Sequence, residues 1–143
     1  MWWLLIIAAL SLFYVQLALA KEVSMPAPIV FFDIAGPDAA KLKDFYSKVF
    51  GWEIEANNNV TVPASGPSPA SLNGTFRQDP PGNLLYFGVT DINATLEQIK
   101  ANGGTIDAPR MPVPGVVILA LFRDPAGNRM GLVEIENGKA KIP

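Results

Sequence analysis

Apolar side chains recur along this chain in two rhythms. Ile29-Val30-Phe31-Phe32-Asp33-Ile34 is a short run of β-branched and aromatic residues closed by Gly36-Pro37, and it predicts a strand. Asp38 follows as a helix N-cap, since its carboxylate can accept an orphan backbone N–H. Leu42, Phe45, Tyr46, Val49 and Phe50 then recur at i, i+3, i+4, i+7 and i+8, which predicts one buried helical face. Gly51 can end that helix in a left-handed cap, and Trp52-Glu53-Ile54-Glu55 alternates as a strand.

The same grammar returns further on. Leu84 to Val89 predicts a strand, Asp91 an N-cap, and Ile92, Leu96 and Ile99 an apolar stripe. Gly103-Gly104 ends that helix, and Thr105-Ile106 opens another strand. Asp38 to Asp91 is a shift of 53 residues, and so is Gly51 to Gly104, which points to an internal duplication. Val116 to Phe122 and Arg129 to Ile135, joined by Asp124-Pro125-Ala126-Gly127-Asn128, predict a hairpin with Gly127 and Asn128 able to take positive φ. Between the repeats, Asn57 to Asn83 is rich in Asn, Pro, Ser and Gly. Short strands are expected near Val60–Pro63 and Gly74–Arg77, with Asn73-Gly74 as a turn signal.

Charge distribution changes the picture at the N-terminus. Residues 1–20 carry no charged side chain and end in Ala18-Leu19-Ala20, with Lys21 next. Small residues at these positions suit a signal peptidase, so a signal peptide with Lys21 as the mature N-terminus is expected. The alternative is an uncleaved anchor, because the run is long enough to span a bilayer. Both place the following domain outside the cytoplasm, secreted or periplasmic in the first case and membrane-anchored in the second. Contact with a membrane is expected only if residues 1–20 are uncleaved. The net charge of −2 offers no broad basic surface, so nucleic acid is not an expected partner. There is no cysteine and no histidine. Disulfides, thiolate sites and a Ser–His–Asp triad are excluded.

The series D-x-x-x-x-x-x-F-Y-x-x-V-F-G-W (Asp38 to Trp52), V-T-D-I (Val89 to Ile92), Gly103-Gly104 and D-P-A-G-N-R-M-G-L (Asp124 to Leu132) resembles the vicinal oxygen chelate superfamily. That is the group of glyoxalases, bleomycin-resistance proteins and extradiol dioxygenases. The resemblance implies an α+β fold of two βαβββ modules, about 29–80 and 83–138, forming a cupped mixed sheet. Residues 21–28 would be a linker, 29–138 the domain, and 139–143 a tail. In metal-dependent members a histidine often sits seven residues before each capping aspartate, and a glutamate three residues after the Asn of D-P-x-G-N. Here those positions hold Phe31, Leu84 and Gly131. None has a donor side chain, so no metal and no cofactor are expected.

Strand alternation then sorts the faces. Val30, Phe32, Ile34, Leu85, Phe87 and Val89 are expected to face the helices. Phe31, Asp33, Leu84, Tyr86, Arg129, Gly131 and Val133 are expected to line the cup. Phe31, Asp33, Leu84, Tyr86, Arg129 and Gly131 are therefore the candidate ligand-binding residues for a small, partly apolar molecule. The catalytic residues stay unassigned; an acid–base scheme would use Asp33 or Glu134 with Tyr86. Asp33 and Arg129 could instead close a filled cup as an ion pair. Gly131 could leave room for a ligand or permit a bulge. Trp52 is expected in the core or at a dimer contact, and Arg110 and Arg123 in solvent. By resemblance, a homodimer is the expected assembly.

Overall fold

A computed structural model describes residues 26–62 and 71–143. The expected signal or anchor at 1–20, and most of the linker, lie outside the described residues. Along the chain come β1 (Ile29–Gly36), α1 (Ala39–Phe50), β2 (Asn59–Val62), β3 (Leu72–Gln78), β4 (Gly82–Val89), α2 (Ile92–Ala101), β5 (Thr105–Val113), β6 (Val117–Arg123), β7 (Arg129–Glu136) and β8 (Lys139–Ala140). The strands form one mixed sheet in the order β2-β3-β1-β4-β7-β6-β5, with β8 on β7. The last element thus lies beyond residue 138, where a tail was expected. Among the described residues no helix is long and apolar enough to cross a membrane.

The pairing follows a repeated pattern, but of the two expected βαβββ modules the first runs only β1-α1-β2-β3, against β4-α2-β5-β6-β7 in the second. β1 and β4, the first strands of the two modules, are antiparallel neighbours, with Phe31 opposite Tyr86 and Asp33 opposite Leu84. Each then has a parallel partner from its own module: β3 beside β1, and β7 beside β4. Asp38 accepts from the Lys41 N–H at 3.1 Å, and Asp91 from the Ala94 N–H at 2.9 Å, so both are N-caps of the same geometry. The helix ends differ. Gly51 is left-handed (φ 68°), whereas in the second module Gly103 takes that role (φ 90°), one residue before the position the repeat offset marks.

Three other expectations are corrected. Trp52–Glu55 is not a strand; only Ile54 makes a single bridge, to Val60. The backbone there is engaged locally. Ser47 Oγ donates to the Trp52 carbonyl, and Glu55 and Asn58 close a tight turn onto Asn59, with Asn58 at φ 72°. Asn73-Gly74 lies inside β3 rather than in a turn. The glycine is needed because a Cβ there would sit 2.3 Å from the Phe32 ring. Finally, the predicted face of α1 is only partly covered. Leu42 and Tyr46 pack onto Phe32, Val60 and Phe76, but Phe45, Val49 and Phe50 are 53%, 57% and 59% exposed. Trp52 does join the core, stacked on Tyr46 with centroids 5.3 Å apart.

The helix-facing assignment holds for Phe32, Ile34 and Leu85 in the first module's cluster and for Phe87 and Val89 in the second's. A bulge between Ile29 and Phe31 breaks the alternation, so Val30 also borders the concave side. The expected hairpin is present as β6–β7. Its turn is held by Asp124, which accepts from the Ala126 and Asn128 N–H groups. Gly127 alone of its two central residues has positive φ.

Candidate functional site

The concave face is built around the junction of β1 and β4. Phe31 meets Tyr86 edge-on, with centroids 5.6 Å apart and rings at 74°. The Tyr86 ring lies over Gly131, its neighbour on β7; a Cβ at Gly131 would stand 2.2 Å from that ring. The space left by the missing side chain is therefore filled from within, by Tyr86 and by neither a ligand nor a bulge.

Asp33 is buried (3% exposed) and accepts from Arg77 on β3, at 3.1 Å from Nε and 3.4 Å from Nη2. Arg77 also pairs with Asp79. The Tyr86 hydroxyl lies 3.5 Å from Asp33 Oδ2. Burial pushes the Tyr86 phenol above its ordinary value, and the Asp33 charge pushes it the same way. Tyr86 thus stays protonated through neutral pH, with its one hydroxyl proton directed at Asp33. Leu84 is buried opposite Asp33.

Arg129 does not reach Asp33. It pairs with Asp107 at 3.0 Å, and Arg123 shares the same carboxylate at 3.1 Å, so the expected Asp33–Arg129 pair is replaced by Asp33–Arg77. Nor does Arg110 stand free in solvent. It makes two bonds to Glu134, at 2.8 and 2.9 Å, and this forked contact holds the Glu134 carboxyl below the usual carboxylate range. Glu134 lies opposite Val89 and has the parity of Leu132, which packs on α2, so it is on the helix side of the sheet. An acid–base pair of Glu134 with Tyr86 is therefore ruled out by the alternation of β7.

Beside the Phe31–Tyr86 floor opens a cleft of about 770 Å³. Asn59, Ser71, Asn73 and Thr75 line the first module's side. Val117, Leu119, Val133 and Ile135 line the second's. Of the candidates, Phe31 and Tyr86 border this cleft, whereas Asp33, Leu84, Arg129 and Gly131 do not.

With this arrangement in view, the comparison with known families is decisive. The Glyoxalase/Bleomycin resistance protein/Dioxygenase superfamily matches residues 28–132. The chain belongs to that superfamily. An anthracycline biosynthesis protein of Streptomyces peucetius is 28% identical over 123 residues, covering 71% of this chain and 45% of the relative. A glyoxylase-like domain-containing protein of Didymella fabae is 30% identical over 108 residues, covering 67% of this chain and 84% of the relative. The chain spans about half the length of the first of these. A methylmalonyl-CoA epimerase bound to methylmalonyl-CoA has a TM-score of 0.57 at 16% identity, covering 82% of this chain and all of that one. The Mycobacterium tuberculosis methylmalonyl-CoA epimerase gives 0.51 at 15% identity, covering 82% and 95%. Likeness at this level shows the fold.

The resemblance implies metal-ligand positions on β1, β4 and β7. Here Phe31 and Leu84 present hydrocarbon, and the third position is glycine beneath a tyrosine ring. Among the described residues no three carboxylate side chains converge. The donor set does not fit a catalytic transition metal, which takes about three protein ligands.

Sequence reasoning missed Arg77, the partner of Asp33. Its strand was expected, and Asn73, Thr75 and Arg77 do alternate on one face. What could not be read was that β3 runs parallel beside β1 and sets Arg77 next to Asp33.

Proposed function

We propose that this chain is a metal-independent member of its superfamily that binds a small, largely apolar molecule in the cleft over Phe31 and Tyr86. The single observation carrying this is the cleft itself: about 770 Å³, within the range of small-molecule sites, with an aromatic floor, one aliphatic wall and a few polar groups on the other. A filled cup, which would favour a purely structural domain, is at odds with that volume. The uncharged segment 1–20 ending in Ala18-Leu19-Ala20 supports export as part of the same reading. A homodimer, the assembly that the family resemblance implies, belongs to the same reading.

A thermal-shift screen of small aromatics and metabolites, paired with elemental analysis of the purified protein, tests the reading. A ligand present at about 100 times its Kd stabilises by about 2.7 kcal/mol, a rise of roughly 10 °C for a domain of this size. Chelator is expected to leave Tm and binding unchanged. Stoichiometric zinc, nickel or iron required for stability or binding would overturn metal independence, and a screen without hits would favour the structural reading.

A second reading, a lyase- or isomerase-type enzyme, is favoured by one observation. Tyr86 is a protonated phenol on the cleft floor beside a buried carboxylate. The epimerase neighbours are consistent with it, though only their fold is shared. Turnover that survives chelator and is lost in Tyr86→Phe would establish it.

A further inference from the structure

The two walls of the cleft differ in chemistry, one polar and uncharged and the other aliphatic. Asn73 on β3 stands opposite Thr61 on β2, and Thr75 opposite Asn59. Directly opposed residues of an antiparallel pair project to one side, so these four form a ladder of amides and hydroxyls on one face. The Thr61 hydroxyl lies 3.0 Å from Asn73 Oδ1, which orients that amide. Facing this ladder are the aliphatic side chains of Val117, Leu119, Val133 and Ile135.

Among the described residues no carboxylate lines the cleft, and Lys139 is the only charged residue that does. The β7–β8 register sets its Cβ toward the opposite face. Lys139 is opposite Glu136, and Ala140 opposite Ile135; it is Ile135, with Val133, that faces the cleft. Lys141, with the parity of Lys139, reaches Glu134 on the helix side at 3.7 Å. The other charges nearby are already matched, Asp33 by Arg77 and Asp107 by Arg123 and Arg129. An ionic ligand group entering the cleft would lose water and meet, among the described residues, no counter-charge rooted in either wall, a cost that a neutral polar group paired with an amide avoids.

We infer that the cleft selects an uncharged molecule with oxygen or nitrogen functions along one edge and hydrocarbon along the other, the polar edge lying on Asn59, Asn73 and Thr75, with Thr61 orienting Asn73 from behind. This rests on the binding reading above and narrows it to a ligand class. It also sets the chain apart from a protein whose ligand is carried by a phosphorylated or carboxylated group.

Matched fluorescent probes test it on the full chain. N-phenylnaphthylamine is neutral, and anilinonaphthalene sulfonate is the same skeleton bearing one negative charge. The neutral probe is expected to bind at least ten-fold more tightly. Its binding is expected to be lost in Leu119→Trp and in Asn59→Trp, which fill the cleft from opposite walls; Asn59 is exposed, so its replacement leaves the core untouched. In displacement titrations naphthol is expected to outcompete naphthalene, with the preference falling about five-fold in Asn73→Leu. If both probes are blocked by the tryptophans but the sulfonate binds as tightly as the neutral one, the cleft binds and the neutrality inference fails. An unchanged naphthol preference in Asn73→Leu overturns the polar edge. If neither probe responds to either tryptophan, the binding reading fails and this inference with it.

Discussion

In the second module α2 buries Ile92 and Leu96 against Ile118, Ala120 and Leu132. In the first, α1 buries no residue, and three of its large apolar side chains stay more than half exposed. The capping aspartates, the following apolar stripes and the paired parallel strands are the same. What differs is the sheet beneath. β5 gives the second module a fourth strand, while the first has only the Ile54 bridge at the corresponding place and relies on an aromatic cluster of Tyr46, Trp52 and Phe76. The concave sides diverge too, one toward amides and hydroxyls and the other toward hydrocarbon. The repeated pattern fixes where chain direction changes; it does not fix how tightly each half packs or what its inner face offers.

The strongest way to sharpen that contrast is in the better-packed half. Leu96→Ala removes a buried side chain from a closed cluster and is expected to cost about 3 kcal/mol in urea unfolding, where core Leu→Ala changes range over roughly 2–5 kcal/mol. A loss under about 1 kcal/mol would mean that the second module is not the more firmly packed. Next come two glycines that serve as seats for rings. At Gly74 a methyl group would collide with Phe32, which is enclosed by Trp52 and the rest of its cluster. Overpacking of this kind costs about 1–3 kcal/mol, and Gly74→Ala is expected near about 2 kcal/mol. At Gly131 the ring overhead is Tyr86, which borders open space. Gly131→Ala is expected to lose less stability than Gly74→Ala and to weaken probe binding, because the ring moves into the cleft. Equal stability losses with intact binding would show that Tyr86 does not border the site.

Most of the frame was legible because its signals are local. An aspartate ahead of an apolar stripe caps a helix wherever it occurs, and Asp38 and Asp91 do so. The concave candidates were half legible: alternation put Phe31, Asp33, Leu84 and Tyr86 on one face, but alternation cannot say which of them is covered. Covering depends on β3 and β7 arriving from distant parts of the chain. Arg77 and the Tyr86 ring over Gly131 are contacts of that kind, and so is Arg129 going to Asp107. The failure at Trp52–Glu55 has another origin. A period of two was present, but four residues with two outward glutamates gain little from pairing when Trp52 can stack on Tyr46 instead. Asn73-Gly74 failed because the glycine answers to a neighbouring ring, a demand that looks the same in sequence as a turn.

A smaller effect separates the modules by pH. The first keeps its buried carboxylate on the concave side and the second keeps Glu134 on the helix side. The Glu134 pKa is held below its ordinary 4.5 chiefly by hydrogen bonds from Arg110. A depressed carboxylate contributes stability that is complete above its unfolded pKa and is lost as pH falls through the folded one. The wild type is therefore expected to exceed Glu134→Gln in stability at pH 6 by a margin that shrinks steadily below about pH 4.5. Urea midpoints measured from pH 6 down to pH 3 check this. A margin independent of pH would mean that Glu134 contributes by shape alone.

The smallest change is expected where the modules differ most visibly. Phe45 touches Tyr46 and Phe50 edge-on, with centroids 5.3 and 6.4 Å away, yet more than half of it faces outward. Removing it forfeits a little aromatic contact and relieves water of an exposed ring, two terms of opposite sign and similar size. Phe45→Ser is expected to shift stability by no more than about 0.5 kcal/mol, the range of ordinary surface substitutions, against about 3 kcal/mol for Leu96→Ala on the other helix. A loss above about 1 kcal/mol that grows with protein concentration would show that the outer face of α1 is covered by another copy in solution. The looseness of the first module would then belong to the single chain, and the two halves would be equally well packed once assembled.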